Sequence, residues 1–201
     1  QLRLHNPEHF PRSQSYIIAA NHSSHLDAAA VIASLGVALG PEEATRLHVL
    51  GARDYFFDHI FKGWALSALL NLVPVEREEA SLASLRLVTA ILAEGEPVLI
   101  FPEGTRSRTG RIQDFKPGIG LIAAESGAPI VPIYIQGAYR AMPPGATFPR
   151  PTPIEVFLGP AIKVEADDGA ARGSQDERYR QVAAQAHQAV VELGKLSRDG
   201  K

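Results

Sequence analysis

His22 and Asp27 stand five positions apart, at the point where an apolar run ends. An imidazole is half-protonated near neutral pH, so it can take a proton from an alcohol, provided that one ring nitrogen is free and the other is held. A carboxylate within hydrogen-bond reach does the holding. It fixes the tautomer and stabilises the imidazolium that forms. Residues 14–20 read as a short buried strand, and residues 27–35 as a helix with Asp27 near its N-cap. His22 is then expected in a turn at the carboxyl end of a strand, where open α/β sheets gather their active sites. Taken alone, such a pair also reads as a loop histidine beside a helix cap. A second motif alters that balance.

The second motif is Glu103-Gly104-Thr105-Arg106-Ser107, directly after the apolar run 97–101. Gly104 lets a backbone approach a ligand closely, and amides in such a turn can point at an anion. Thr105 and Ser107 supply hydroxyls, and Arg106 supplies a planar fork of donors that matches a phosphate. Arg77 ends another strand-like run and is expected to converge on the same place, with Arg53 and Lys116 as further cations. Alone, this motif reads equally well as a turn with solvated arginines.

The elements that must position these residues follow from hydrophobic period and punctuation. Residues 1–12 read as a polar lead-in with two prolines, and 40–43 as a chain break. Strands are expected at 46–51, 72–77, 97–101, 130–135 and 154–158. Helices are expected at 78–94, closed by Gly95, at 117–125, closed by Gly127, and at 176–193. Pro132 cannot donate to a ladder, so its strand is expected at an edge, at a bulge or at a strand start. Residues 53–72 are apolar at near-helical spacing. They read as a core helix pair, or as a greasy surface for an acyl chain or a membrane face. Strands alternating with helices give an α/β fold: a mostly parallel, mixed central sheet with helices on both faces.

At 201 residues the chain is read as one domain, 1–201, long enough to bury a proper core. Its net charge of −2 supplies no global field for nucleic acid or anionic membrane, so no nucleic-acid partner is expected. It has no cysteine, which excludes disulfides, cysteine nucleophiles and thiolate metal sites and fits a reducing compartment. No run is long and apolar enough to span a bilayer, and no signal-peptide pattern is present. A metal site using His22, His25 and Asp27 lacks the Glu of H-E-x-x-H, so no metal is expected.

Asn21, His22, Ser24 and Asp27, followed by Phe101 to Ser107, together resemble the glycerolipid acyltransferase family, the PlsC-like 1-acylglycerol-3-phosphate acyltransferases. Val73-Pro74-Val75-Glu76-Arg77 is similar to the family block that ends in arginine, Phe115-Lys116-Pro117-Gly118 to the segment after the phosphate motif, and Ile130-Val131-Pro132-Ile133 to the final block. The resemblance implies an O-acyltransferase fold and mechanism. His22 deprotonates the acceptor hydroxyl with Asp27 orienting it, and the oxygen attacks an acyl thioester carried by CoA or acyl carrier protein, with no other cofactor. Arg77, Gly104, Thr105 and Arg106 then hold a glycerol-phosphate or lysophospholipid acceptor. Glu103 accepts from the acceptor or braces the loop, Asn21 and Ser24 shape the turn, and Lys116 supports. A cytoplasmic location, peripheral to the inner face of the membrane, is the corresponding expectation.

The sequence departs from the family pattern in two places. Glu76 precedes the block arginine where an aspartate is usual. Few residues precede His22, and the chain starts at Gln1, not methionine. That start leaves open a domain excised from a longer chain, including a module of a multidomain synthase that passes a carrier-bound chain to an alcohol. A non-catalytic lipid-binding relative is the other reading.

Overall fold

The computed structural model describes residues 1–12, 14–52, 71–75, 82–165 and 172–199. Arg53, Arg77 and the apolar stretch 53–70 lie outside the described residues. The elements in chain order are β1 (Leu2–His5), β2 (Ile17–Ala20), α1 (Asp27–Leu39), α2 (Pro41–Arg46), β3 (His48–Ala52), β4 (Leu72–Val75), α3 (Leu82–Ala93), β5 (Val98–Ile100), α4 (Gly118–Ser126), β6 (Ile130–Gln136), α5 (Ala138–Ala141), β7 (Ile154–Leu158) and α6 (Arg172–Asp199). The strands form one sheet in the order β1-β7-β6-β2-β5-β3-β4. Every neighbouring pair is parallel except β6 and β7. This is the mixed, mostly parallel α/β sheet that the alternation of strands and helices implies.

β2 lies at the middle of the sheet, and all four of its residues are fully buried. A strand covered on both faces reads as an unbroken apolar run, which Ile17-Ile18-Ala19-Ala20 is. Its side chains alternate between two cores. Ile18 and Ala20 join Val131, Ile133 and Ile135 of β6 and Val31 and Leu35 of α1. Ile17 and Ala19 join Val98 and Ile100 of β5, Val88 and Leu92 of α3, Ile119 and Ala123 of α4, and Ala183 and Ala186 of α6. On this second face α4 and α6 approach closely at Gly120, where a Cβ would fall 2.1 Å from the Tyr179 carbonyl oxygen.

Several local expectations are corrected. Residues 1–12 contain a strand, β1, paired in parallel with β7 from Leu2 opposite Ile154 to His5 opposite Phe157. As an edge strand it has only two apolar residues, too few for a clear alternation. Residues 40–43 do break the chain, at Gly40 (φ 110°), but Pro41 immediately opens the short helix α2 with Glu42 and Glu43 in its first turn. The strand containing Pro132 is interior, flanked by β2 and β7. Ile130 directs its backbone groups to Ile162, and the Pro132 carbonyl accepts from Gly159 N–H at 2.9 Å. The missing N–H of Pro132 therefore points away from β2, just past the last β7 pair at Ile133 and Leu158, and no bond to β2 is lost.

Candidate active site

The turn that bears His22 leaves the carboxyl end of β2, and the turn that bears Arg106 leaves the carboxyl end of β5. The two strands are parallel neighbours, so both turns emerge side by side from one edge of the sheet. A separation of 81 residues along the chain becomes a direct hydrogen bond: His22 N–H donates to Glu103 Oε1 at 2.8 Å. In return Ser107 N–H donates to the His22 carbonyl, also at 2.8 Å. The backbone of His22 is thus held from both sides by the second motif.

The imidazole is held as well. His22 Nδ1 lies 2.9 Å from Asp27 Oδ2, and the ring stacks on Phe101 with centroids 4.0 Å apart and planes at 16°. Among the described residues nothing bonds Nε2, and the side chain keeps 22% of its exposure, so this nitrogen faces a reachable space. Asp27 is fully buried. Its Oδ2 also accepts from Ser23 N–H at 2.6 Å and Ser24 N–H at 2.7 Å, while Oδ1 is buried without a partner among the described residues. Asp27 therefore does not cap its own helix. Leu26 is the N-cap and Asp27 the first helical residue, its carboxylate folded back onto the turn. Three donors on one oxygen fix where the carboxylate, and with it the ring, must lie.

The side chains of Asn21 and Ser24 both bond to backbone groups around the turn. The Asn21 side chain continues the β2 ladder beyond Ala20: its Nδ2 donates to the Ile135 carbonyl at 3.1 Å, and its Oδ1 accepts from Ile135 N–H at 2.7 Å. Ser24 Oγ donates to the Met142 carbonyl and accepts from Leu26 N–H.

Glu103 is buried between the two turns. Its Oε1 accepts from His22 N–H, and its Oε2 accepts from Gln113 Nε2 at 2.9 Å. Burial is the largest influence on its carboxyl and pushes it up to about 7, with the charge of Asp27 acting the same way and the donors opposing. Gly104 takes a left-handed conformation (φ 71°), and the Lys116 side chain lies across it, 2.8 Å from where a Cβ would sit. Thr105 is exposed. Arg106, on the second motif, contacts the His25 ring through its guanidinium. No three His, Asp or Glu side chains converge on a metal-sized site among the described residues.

His22, Asp27, Glu103, Gly104, Thr105, Arg106 and Lys116 are thus gathered on one edge, while the expected convergence of Arg77 lies outside the described residues. Sequence reasoning missed the stacking role of Phe101 and the contribution of Gln113. The first was inside a quoted motif, but nothing in the linear string marks a ring as a neighbour of His22. A cleft of about 320 Å³ opens beside Ser23, lined by Gly110, Tyr134, Gln136, Tyr139 and Arg140.

The acyltransferase family model matches residues 1–136, and the chain belongs to that family. Similar proteins include a chloroplastic 1-acyl-sn-glycerol-3-phosphate acyltransferase of Brassica napus, 33% identical over 142 residues, which are 69% of this chain and 38% of that protein. The 1-acyl-sn-glycerol-3-phosphate acyltransferase of Bacillus subtilis is 32% identical over 138 residues, 68% of this chain and 63% of that protein. The chain therefore spans less than two thirds of the length of these relatives. The crystal structure of the 1-acyl-sn-glycerophosphate acyltransferase PlsC from Thermotoga maritima shares the fold, with a TM-score of 0.69 at 22% identity over 98% of this chain and 72% of that one. Among the described residues, no helix is long and apolar enough to cross a membrane.

Proposed function

We propose that this chain is an O-acyltransferase that moves an acyl group from a thioester, acyl-CoA or acyl carrier protein, to a hydroxyl of a glycerol-phosphate-type acceptor such as lysophosphatidic acid. The observation that carries the reading is the imidazole of His22, pinned at Nδ1 by a buried carboxylate and stacked on Phe101, with Nε2 reachable. Such a ring takes a proton at Nε2 and gives it up again without moving.

In the proposed reaction the acceptor hydroxyl gives its proton to Nε2 as its oxygen attacks the thioester carbonyl. The negative charge of Asp27 stabilises the imidazolium. The tetrahedral intermediate collapses, the C–S bond breaks, and the leaving thiolate recovers the proton from Nε2. An ester forms and a thiol is released, with no covalent enzyme intermediate. Arg106, with Lys116 over Gly104 and Arg77, supplies the cations for the acceptor phosphate, and holding the phosphate brings the hydroxyl to the base. The names of the similar proteins support a glycerol-phosphate acceptor. The cleft beside Ser23 is lined by tyrosines, Gln136 and Arg140, which suits a polar part of a substrate better than an acyl chain.

The acceptor assignment is tested by steady-state kinetics of wild type and Arg106→Ala with lysophosphatidic acid and with monoacylglycerol. Arg106→Ala is expected to raise KM for the phosphorylated acceptor at least tenfold and to leave the uncharged one little changed. An equal loss on both acceptors removes the phosphate role.

A further inference from the structure

Gln113 belongs to neither motif, yet it holds the carboxylate that connects them. Its Nε2 donates to Glu103 Oε2 at 2.9 Å and reaches the Thr105 carbonyl at 3.4 Å. Both hydrogens of the amide are thereby directed at acceptors, which sets its orientation, since the flipped amide would face its own oxygen to the Thr105 carbonyl. The opposite oxygen of Glu103 holds His22 N–H. Gln113 therefore ties Glu103 and Thr105 of the Arg106-bearing turn together, and Glu103 carries the connection on to the backbone of His22. Among the described residues no other side chain donates to Glu103 Oε2.

We propose that Gln113 is a positioning residue for the transfer reaction, bracing the Arg106 turn at Glu103 and the Thr105 carbonyl and so clamping the Glu103 carboxylate onto the His22 turn. The proposal rests on His22 being the base. A carboxylate 4% exposed stays an acceptor only while donors face both of its oxygens. A proton on Oε2 would set O–H against the Gln113 N–H, donor against donor, and would loosen the clamp. The described charged groups on the surrounding elements are Asp27 at the start of α1, His22 on the adjoining turn, Lys116 over Gly104 and Arg106 against His25. Of these, Asp27 opposes ionisation of Glu103.

The test follows the His22 backbone amide of the full chain by NMR through a pH titration, because that N–H is bonded directly to Glu103. The wild-type signal is expected to titrate with a midpoint at about 7. Gln113→Leu keeps bulk and removes the side-chain donors while the backbone donor of residue 113 to Glu103 stays, so the midpoint moves up, with proton affinity roughly threefold to tenfold higher. Gln113→Arg keeps donors and adds charge, so the midpoint moves down. In transfer assays Gln113→Leu lowers kcat several-fold and displaces the acid limb upward, whereas Gln113→Arg displaces it downward. Amide titrations that stay at the wild-type midpoint in both variants, or shift the same way in both, overturn the clamp. Shifts as expected in both variants, beside a wild-type chain that transfers no acyl group, overturn the acyl-transfer reading while the clamp on Glu103 stands.

Discussion

At the scale of single residues, the arrangement turns on the charge of Asp27. One of its oxygens gathers three donors, two backbone N–H groups and His22 Nδ1, and the same charge faces the imidazolium when the ring is protonated. Asp27→Asn keeps an oxygen for the turn but loses the charge, so the transfer rate is expected to fall by about 10²- to 10⁴-fold with little change in acceptor KM. A loss confined to KM would place Asp27 in binding instead. The pairing of His22 with Asp27 was legible because type and spacing are local. Asp27 does lie beside the N-cap of α1, as expected, but whether its carboxylate caps the helix or folds back onto the turn was not legible, because both share one sequence signature. Gln113 was illegible for a different reason: a glutamine in a polar loop carries no periodicity, and only the packed loop reveals which carboxylate it faces.

At the scale of elements, the site exists because β2 and β5 are parallel neighbours whose carboxyl ends release the two motifs side by side. Which strands would be neighbours could not be read from the string. The strands themselves could, because an apolar run such as Ile17 to Ala20 has few alternatives. The edge strand β1 escaped notice because edge strands lack that pattern, and the edge alternative for Pro132 failed because its missing donor faces away from β2, near the start of β6, on the side where only its carbonyl is bonded, to Gly159. Two substitutions test the scaffold. Asn21→Ala removes both side-chain bonds that extend β2 toward Ile135 and leaves two buried backbone groups unpaired. It is expected to cost about 2–3 kcal/mol in urea unfolding. Gly120→Ala forces α4 off α6, because its Cβ would collide with the Tyr179 carbonyl, and is expected to cost at least about 2 kcal/mol. Unchanged stability in either variant would mean that the contact does not hold the element in place.

At the scale of the whole molecule, the buried Glu103 makes stability depend on pH. Its folded value of about 7 lies above the ordinary 4.5, so the folded chain binds this proton more tightly than the unfolded chain. Ionised Glu103 thus destabilises the fold. The effect is absent below about pH 4.5, grows as the pH rises, and is complete above about 7, reaching on the order of 3 kcal/mol. Glu103→Gln lacks the titration, so its thermal stability relative to wild type is expected to improve between pH 5 and pH 8. Parallel melting curves across that range would show that Glu103 does not titrate there. The expectation that Glu103 either contacts the acceptor or braces the loop is sharpened by the geometry, because both of its oxygens are already engaged by protein donors.

The most direct measurement is acyl transfer by the purified chain, wild type beside His22→Ala, with palmitoyl-CoA or palmitoyl acyl carrier protein as donor and lysophosphatidic acid as acceptor. Phosphatidic acid is expected from the wild type, with a preference between the two donors that assigns the carrier, and product from His22→Ala is expected to fall at least about 10³-fold. Product formed equally by His22→Ala would contradict the assignment of His22 as the base. A folded wild-type chain that makes no product with either donor would contradict transfer to this acceptor.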